Sequence, residues 1–335
     1  MKALSLLLVA ALPALAAEPV PPFDGSIERL DPALDALLAK EAKIEVLATG
    51  FNWSEGPVWR DGRIVFSDVP ENTVFGWKEG DTAASVVLKP SGSLRNDGQG
   101  SNGLAVDAAG NLILCQHGER RIARLEKDGS FTSLADRYDG KRFNSPNDLV
   151  IDKKGVIYFT DPPYGLKDKT KAELPFHGVY AVGKSGKAVL LIEDVKFPNG
   201  IALSPDQNTL YLAVSDPEST RIMAYDLTET AMVDNGDVIR KAKNGRVLFD
   251  AQPLKSPTRK GLCDGMKVDT QGNIWTTGPG GVLIITKEGK HLGSILTGQA
   301  TGNCAFGDDG STIYITADMF LLRVKTLVKG TGSGQ

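Results

Sequence analysis

The chain has 335 residues, 38 Lys and Arg against 41 Asp and Glu, and a formal net charge of −3. Acids and bases are interspersed, so no basic face points to nucleic acid and no polybasic tail points to a membrane surface. Three cysteines are too few for a disulfide scaffold, and three histidines without a His-x-x-x-His pair argue against a nitrogen- or sulfur-rich zinc site.

In chain order, the first segment reads as a label rather than as part of the fold. Lys2 is followed by an apolar run over residues 3–15 and by the small residues of Ala14-Leu15-Ala16-Ala17. That is the pattern of a secretory signal peptide over residues 1–17, and it predicts a periplasmic or secreted protein. The run is too short and too proline-interrupted to serve as a transmembrane anchor, and no later stretch is apolar for long enough to span a bilayer. Residues 18–42 form an extension with one short helix: Asp31 caps, Pro32 takes the first turn, and Leu34, Leu37 and Leu38 follow at helical spacing.

Beyond the extension, short apolar runs alternate with Gly-rich turns, which predicts an all-β chain. Six segments resemble one another: SEGPVWRDGRIVFSD from Ser54, SNGLAVDAAGNLILCQ from Ser101 and PNDLVIDKKGVIYFTD from Pro146, then PNGIALSPDQNTLYLAVS from Pro198, CDGMKVDTQGNIWTTG from Cys263 and GNCAFGDDGSTIYITAD from Gly302. Each has a polar lead residue, a strand, a turn rich in Asp and Gly, and a second strand. Weaker hairpins lie between them, as in RIARLEKDGSFTSLA and GVLIITKEGKHLGSIL. Four strands recurring about every 40–65 residues, six times over, predict a six-bladed β-propeller over residues 43–328. The sixth repeat is one strand short. The segment KIEVLATG, residues 43–50, resembles a last strand and is expected to complete that blade, closing the ring and covering an edge. Residues 329–335 are expected to form a flexible tail.

First strands of propeller blades line the central channel, so the lead residues Glu55, Asn102, Asn147, Asn199, Asp264 and Asn303 should converge at one mouth of it. All offer oxygens, none is cationic, and two are carboxylates. This is the donor set of a hard divalent cation, which takes carboxylates, amide carbonyls and water. The alternative is that Asn-Gly and Asp-Gly merely cap left-handed turns. Against it stand Glu55 before Gly-Pro and Asn147 before Asp-Leu, which are not ordinary turn contexts. A second ring is expected where the second strands end, at Asp68, Gln116, Asp161, Ser215, Gly278 and Asp318. With His117 and Tyr164 it supplies wall residues for substrate contact. No nucleophile elbow, metalloprotease helix, Walker loop or dinucleotide fingerprint is present. Cys263 and Cys304 flank lead positions of neighbouring blades, but buried free thiols are the expected state of the cysteines.

SEGPVW, FNSPNDLV, FPNGIALSPD and DGMKVDTQGNIW together resemble the metal-binding motifs of the senescence-marker-protein, gluconolactonase and luciferin-regenerating-enzyme-like family, in the manner of its bacterial gluconolactonases. The resemblance runs from about Lys43 to Val328 and implies a six-bladed propeller with one catalytic divalent cation, expected to be Ca²⁺, with Zn²⁺, Mn²⁺ or Mg²⁺ able to occupy an oxygen cage. It implies Glu55, Asn199 and Asp264 as direct ligands, Asn147 as a fourth ligand or a holder of water or substrate oxygen, and Asp264 as general acid–base. One departure is visible: the animal branch reads Arg-x-Asn-Asp-Gly, whereas Arg142 here stands five residues before Asn147, which leaves its substrate role open.

The expected activity is hydrolysis of a small-molecule sugar lactone, with Asn102, His117, Asp161 and Tyr164 binding ring hydroxyls. A paraoxonase-like esterase on non-sugar substrates, with a greasier entrance, and a non-catalytic binding propeller with a structural metal are the alternatives.

Overall fold

The computed structural model of the protein describes residues 22–232 and 238–332. The expected signal peptide lies outside them. Among the described residues no helix is long and apolar enough to cross a membrane.

Within each repeat the strands alternate direction and pair with their chain neighbours. In the second blade, for example, Ser101–Val106, Leu112–Gln116, Arg121–Leu125 and Phe131–Ala135 form one antiparallel sheet in that order. The turn between first and second strands is built the same way in several blades. The carboxylates of Asp107, Asp152 and Asp269 each accept backbone N–H groups two and four residues ahead, within 3.0 Å. This is the physical content of the Asp-and-Gly turn that the repeats share.

The core lies between blades. A strand turns alternate side chains to opposite faces, and here both faces meet a neighbouring blade. Leu112 and Leu114 therefore pack against the first blade, while Ile113 and Cys115 pack against the third. That is why the strands read as unbroken apolar runs rather than as hydrophobic–polar alternation. Six apolar clusters result, one at each junction between neighbouring blades. The first strands Ser54–Arg60, Ser101–Val106, Leu149–Ile151, Pro198–Leu203, Met266–Val268 and Asn303–Gly307 stand side by side around the axis, and the last meets the first. Glu45–Thr49 pairs with Phe320–Lys325 and closes the sixth blade, as expected.

Three features differ from the sequence reading. The N-terminal extension adds a fifth strand, Ser26–Arg29, to the outer edge of the fifth blade, beside His291–Leu296. The short helix behind it is a 3-10 turn, Pro32–Ala36; its Leu34 and the following Leu37 and Leu38 enter the core with Trp275 and Phe320. Residues 329–331 are tied down rather than free: Thr270 N donates to Lys329 O, and Thr331 N donates to Val268 O. The fourth blade carries an extended hairpin of Arg221–Met232 and Val238–Asp250.

Candidate functional site

At one mouth of the channel a cavity of about 560 Å³ opens over the first strands. Five of the six lead residues line it: Glu55, Asn102, Asn147, Asn199 and Asp264. Four of the five are followed by glycine, which allows the adjoining blade to come close. A β-carbon on Gly200 would lie 2.0 Å from Asp264 O, and one on Gly56 would lie 2.2 Å from Asn102 O. Most of these glycines therefore serve contact between blades rather than a left-handed turn. Gly56, at φ 52°, is the lead-following glycine that also needs the left-handed region.

The sixth lead residue, Asn303, is absent from the wall. It is fully buried one layer down, where Asn303 Nδ2 donates to Asp148 Oδ2 at 3.3 Å. Asp148 stands where most of the other repeats have glycine, and sequence reasoning passed over it as a neighbour of Asn147. It is a third buried carboxylate near the axis, pushed above its ordinary range by burial and partly relieved by the Lys267 charge.

The carboxamides form a chain across the ring. Asn102 Nδ2 donates to Asn147 Oδ1 at 2.9 Å, Asn147 Nδ2 to Asn199 Oδ1 at 2.5 Å, and Asn199 Nδ2 to Ser215 Oγ at 3.0 Å. His117 Nε2 lies 3.2 Å from Asn147 Oδ1, and its Nδ1 lies 3.0 Å from the Gln99 carboxamide. Burial pushes the His117 pKa down to about 4, so the ring is neutral at physiological pH. Its one N–H must then face the Asn147 oxygen, which requires the Gln99 amide nitrogen, not its oxygen, to face Nδ1.

The electrostatics of the ring are those of crowded acid. Glu55 is held well above the usual carboxylate range by burial first and then by the charge of Asp148. Asp264 is raised further by burial, by Glu55 and by Asp148, while a hydrogen bond from Asn199 opposes the shift. Among the described residues no group of three or more His, Cys, Asp or Glu side chains is arranged to hold a metal. Any cation here would rest on two carboxylates and neutral amide oxygens.

The second ring does not face the cavity as expected. Ser215 does, and His117 and Tyr164 line the wall, but Asp161 does not. Asp161 is fully buried and turned away, with Oδ2 accepting Asn144 N at 2.7 Å. Arg142 also lies outside the cavity; Arg142 Nη2 donates to Glu119 O at 2.7 Å. The three cysteines are free and buried.

What sequence reasoning missed is the upper wall. Trp53, Phe197, Leu262 and Thr301 line it, each two residues before a lead. Their common offset from the leads means that extending the repeat alignment by two positions would have found them. Val69, Pro70 and Pro217 add to the apolar surface, and the Phe197 ring stacks on Tyr164 at 6.2 Å between centroids. Phe197 holds φ 50°, a conformation bulky residues rarely take. Lys169, on the loop between Asp161 and Gly178, also reaches the lining.

Comparison with known proteins gives a consistent result. The family model described as the SMP-30/Gluconolactonase/LRE-like region matches residues 53–318. A gluconolactonase of Zymomonas mobilis is 39% identical over 91% of this chain and 87% of its own length. The solved structure of a gluconolactonase from Xanthomonas campestris superposes with a TM-score of 0.76 at 33% identity, covering 93% of this chain and 99% of that one. A protein described as a calcium-binding regucalcin from Agrobacterium tumefaciens shares the fold, with a TM-score of 0.66 at 20% identity, covering 87% of this chain and 95% of that one.

Proposed function

The chain belongs to the SMP-30/gluconolactonase/LRE-like family, and from that premise we propose that it is a metal-dependent hydrolase of sugar lactones, acting in the periplasm or outside the cell. The gluconolactonase relatives support lactone hydrolysis as the reaction class. The observation that carries the metal reading is the meeting of two carboxylates, Glu55 and Asp264, with three carboxamides in one cavity. Both carboxylates are pushed toward the protonated form, Glu55 by burial and then Asp148, and Asp264 by burial and then Glu55 and Asp148. A divalent cation relieves that repulsion, and an all-oxygen donor set suits a hard one such as Ca²⁺. Glu55, Asn147, Asn199 and Asp264 are the residues that would hold it.

When bound, the cation supplies Lewis-acid polarisation of the lactone carbonyl and stabilises negative charge on its oxygen. The remaining work falls to the chain. Asp264 is the carboxylate of the ring placed to act as the base. It takes a proton from the attacking water as the new C–O bond forms. It returns that proton to the ring oxygen as the acyl C–O bond breaks, leaving a hydroxy acid. Neutral His117 and Asn102 hold Asn147 in one orientation, while Asn102 Oδ1, which has no partner among the described residues, and Tyr164 present polar groups to ring hydroxyls.

The apolar wall of Trp53, Val69, Pro70, Phe197 and Leu262 favours a second reading, in which a lactone or ester with an apolar appendage fits above the same ring. Sugar lactones, aryl esters, phosphotriesters and alkyl-substituted lactones, assayed with chelator and after Ca²⁺ is restored, separate the readings. Chelator-sensitive turnover of sugar lactones is expected. Turnover of apolar lactones alone selects the second reading, and ligand binding without turnover of any substrate overturns both.

A further inference from the structure

We propose that Asp68 and Asp161 are positioning residues, a pair of buried carboxylate brackets that fix where Glu55 and Asn147 stand and thereby set the cation affinity of the ring; the inference rests on the metal reading above. Each aspartate ends the second strand of its blade, Arg63–Asp68 in the first and Ile157–Asp161 in the third. Each turns its carboxylate to the segment that delivers the lead residue. Asp68 Oδ2 accepts Asn52 N at 3.0 Å, and Oδ1 accepts Trp53 N at 3.2 Å. Asp161 Oδ2 accepts Asn144 N at 2.7 Å, and Asn144 Nδ2 donates to the Asp161 carbonyl at 3.1 Å. In both blades a bound amide lies three residues before the lead, Asn52 before Glu55 and Asn144 before Asn147, and in the first blade Trp53, two residues before the lead, is bound as well.

The recurrence is specific. In the fourth and fifth blades neutral acceptors serve the approach to the lead: Phe197 N donates to His177 Nδ1 at 3.2 Å, and Cys263 N donates to Thr220 Oγ1 at 2.8 Å. A hydroxyl or an imidazole can therefore do the structural work. A buried carboxylate costs more, and burial raises the pKa of both aspartates. What it adds is a short side chain anchored on the neighbouring strand that holds the backbone just before the lead, which allows the following residues less play. Neither aspartate lines the cavity. Asp161 Oδ1 has no hydrogen-bond partner, so only one of its oxygens is engaged in the grip. Any effect on chemistry must pass through Glu55 and Asn147.

The test uses the full chain, stripped of metal, with Asp68→Ala, Asp161→Ala and the conservative Asp68→Asn and Asp161→Asn. Ca²⁺ affinity is read by calorimetry, and amide exchange is read on peptides covering residues 51–56 and 142–148. Each alanine variant is expected to weaken Ca²⁺ binding about 10–100-fold, the range typical of groups that orient metal ligands. Exchange should quicken only in the peptide that its own aspartate grips. Asparagine retains one acceptor oxygen and should restore part of the affinity. Folded variants with unchanged Ca²⁺ affinity overturn the proposal, whether or not exchange changes. If the alanine variants do not fold, the asparagine variants decide by the same criterion. Wild-type protein that binds no Ca²⁺ removes the metal reading together with this one, whereas wild-type binding with indifferent variants removes only this one.

Discussion

Gly265 lies flat against the side chain of Asn303: a β-carbon built on it would stand 1.9 Å from Asn303 Cγ. The contact crosses from the fifth blade to the sixth just beneath the ring, and Gly265 N donates to Gly302 O at 2.8 Å alongside it. Gly265→Ala therefore forces two blades apart where Asp264 is presented. We expect a loss of about 1–3 kcal/mol, the usual cost of overpacking, measured by urea denaturation. Unchanged stability would mean that Asn303 can swing aside at no cost.

Asp264→Asn preserves shape and most hydrogen bonds while removing the base. We expect a folded protein with kcat lowered by about 10²–10⁴, the usual worth of a positioned proton-transfer group. Steady-state kinetics on a lactone substrate checks it, and near-normal turnover would remove Asp264 from the proton transfer.

Asp161 makes a stability prediction with a definite sign. Burial raises its pKa from 3.8 to about 7, with backbone amides and Arg120 only partly offsetting the shift. A folded-state pKa above the unfolded one means that the native state holds a proton which the unfolded chain has released. Stability attributable to this group is therefore full below pH 4 and declines as pH rises toward 7. Asp161→Asn removes that slope. Between pH 5 and pH 8 the variant should gain on the wild type by an amount on the order of a few kcal/mol at most. Urea midpoints at the two pH values give the comparison, and parallel profiles would contradict it. The Tyr180 hydroxyl, which the Asp161 charge also affects, titrates far above this window.

The cysteines give the simplest check. All three are free and buried, and burial raises Cys263 and Cys304 to about 12. Cys115 is raised further by the nearby charges of Asp148 and Asp161. A thiol reagent at pH 8 is expected to find no reactive thiol in the native protein and three after unfolding. Prompt reaction of the native protein would show that a blade junction opens readily.

The sequence alone determined the number of blades, the closing strand and which residues reach the axis. These are periodic properties: a repeat of one lead residue, two strands and an Asp-bearing turn states them once per blade, and a missing last strand points to its replacement. Glu55, Asn102, Asn147, Asn199 and Asp264 were legible for that reason. The hairpin of Arg221–Met232 and Val238–Asp250 was not, because its outer half mixes apolar and polar residues without the turn and alternation of the other blades. Only the tertiary structure decided that Asn303 drops below the ring to meet Asp148, that Asp161 faces backward to grip Asn144, and that Trp53 and Phe197 make the upper wall apolar. Those outcomes depend on how the path between blades bends and on which atoms of a neighbouring blade fill the space. Spacing along one chain carries no measure of either.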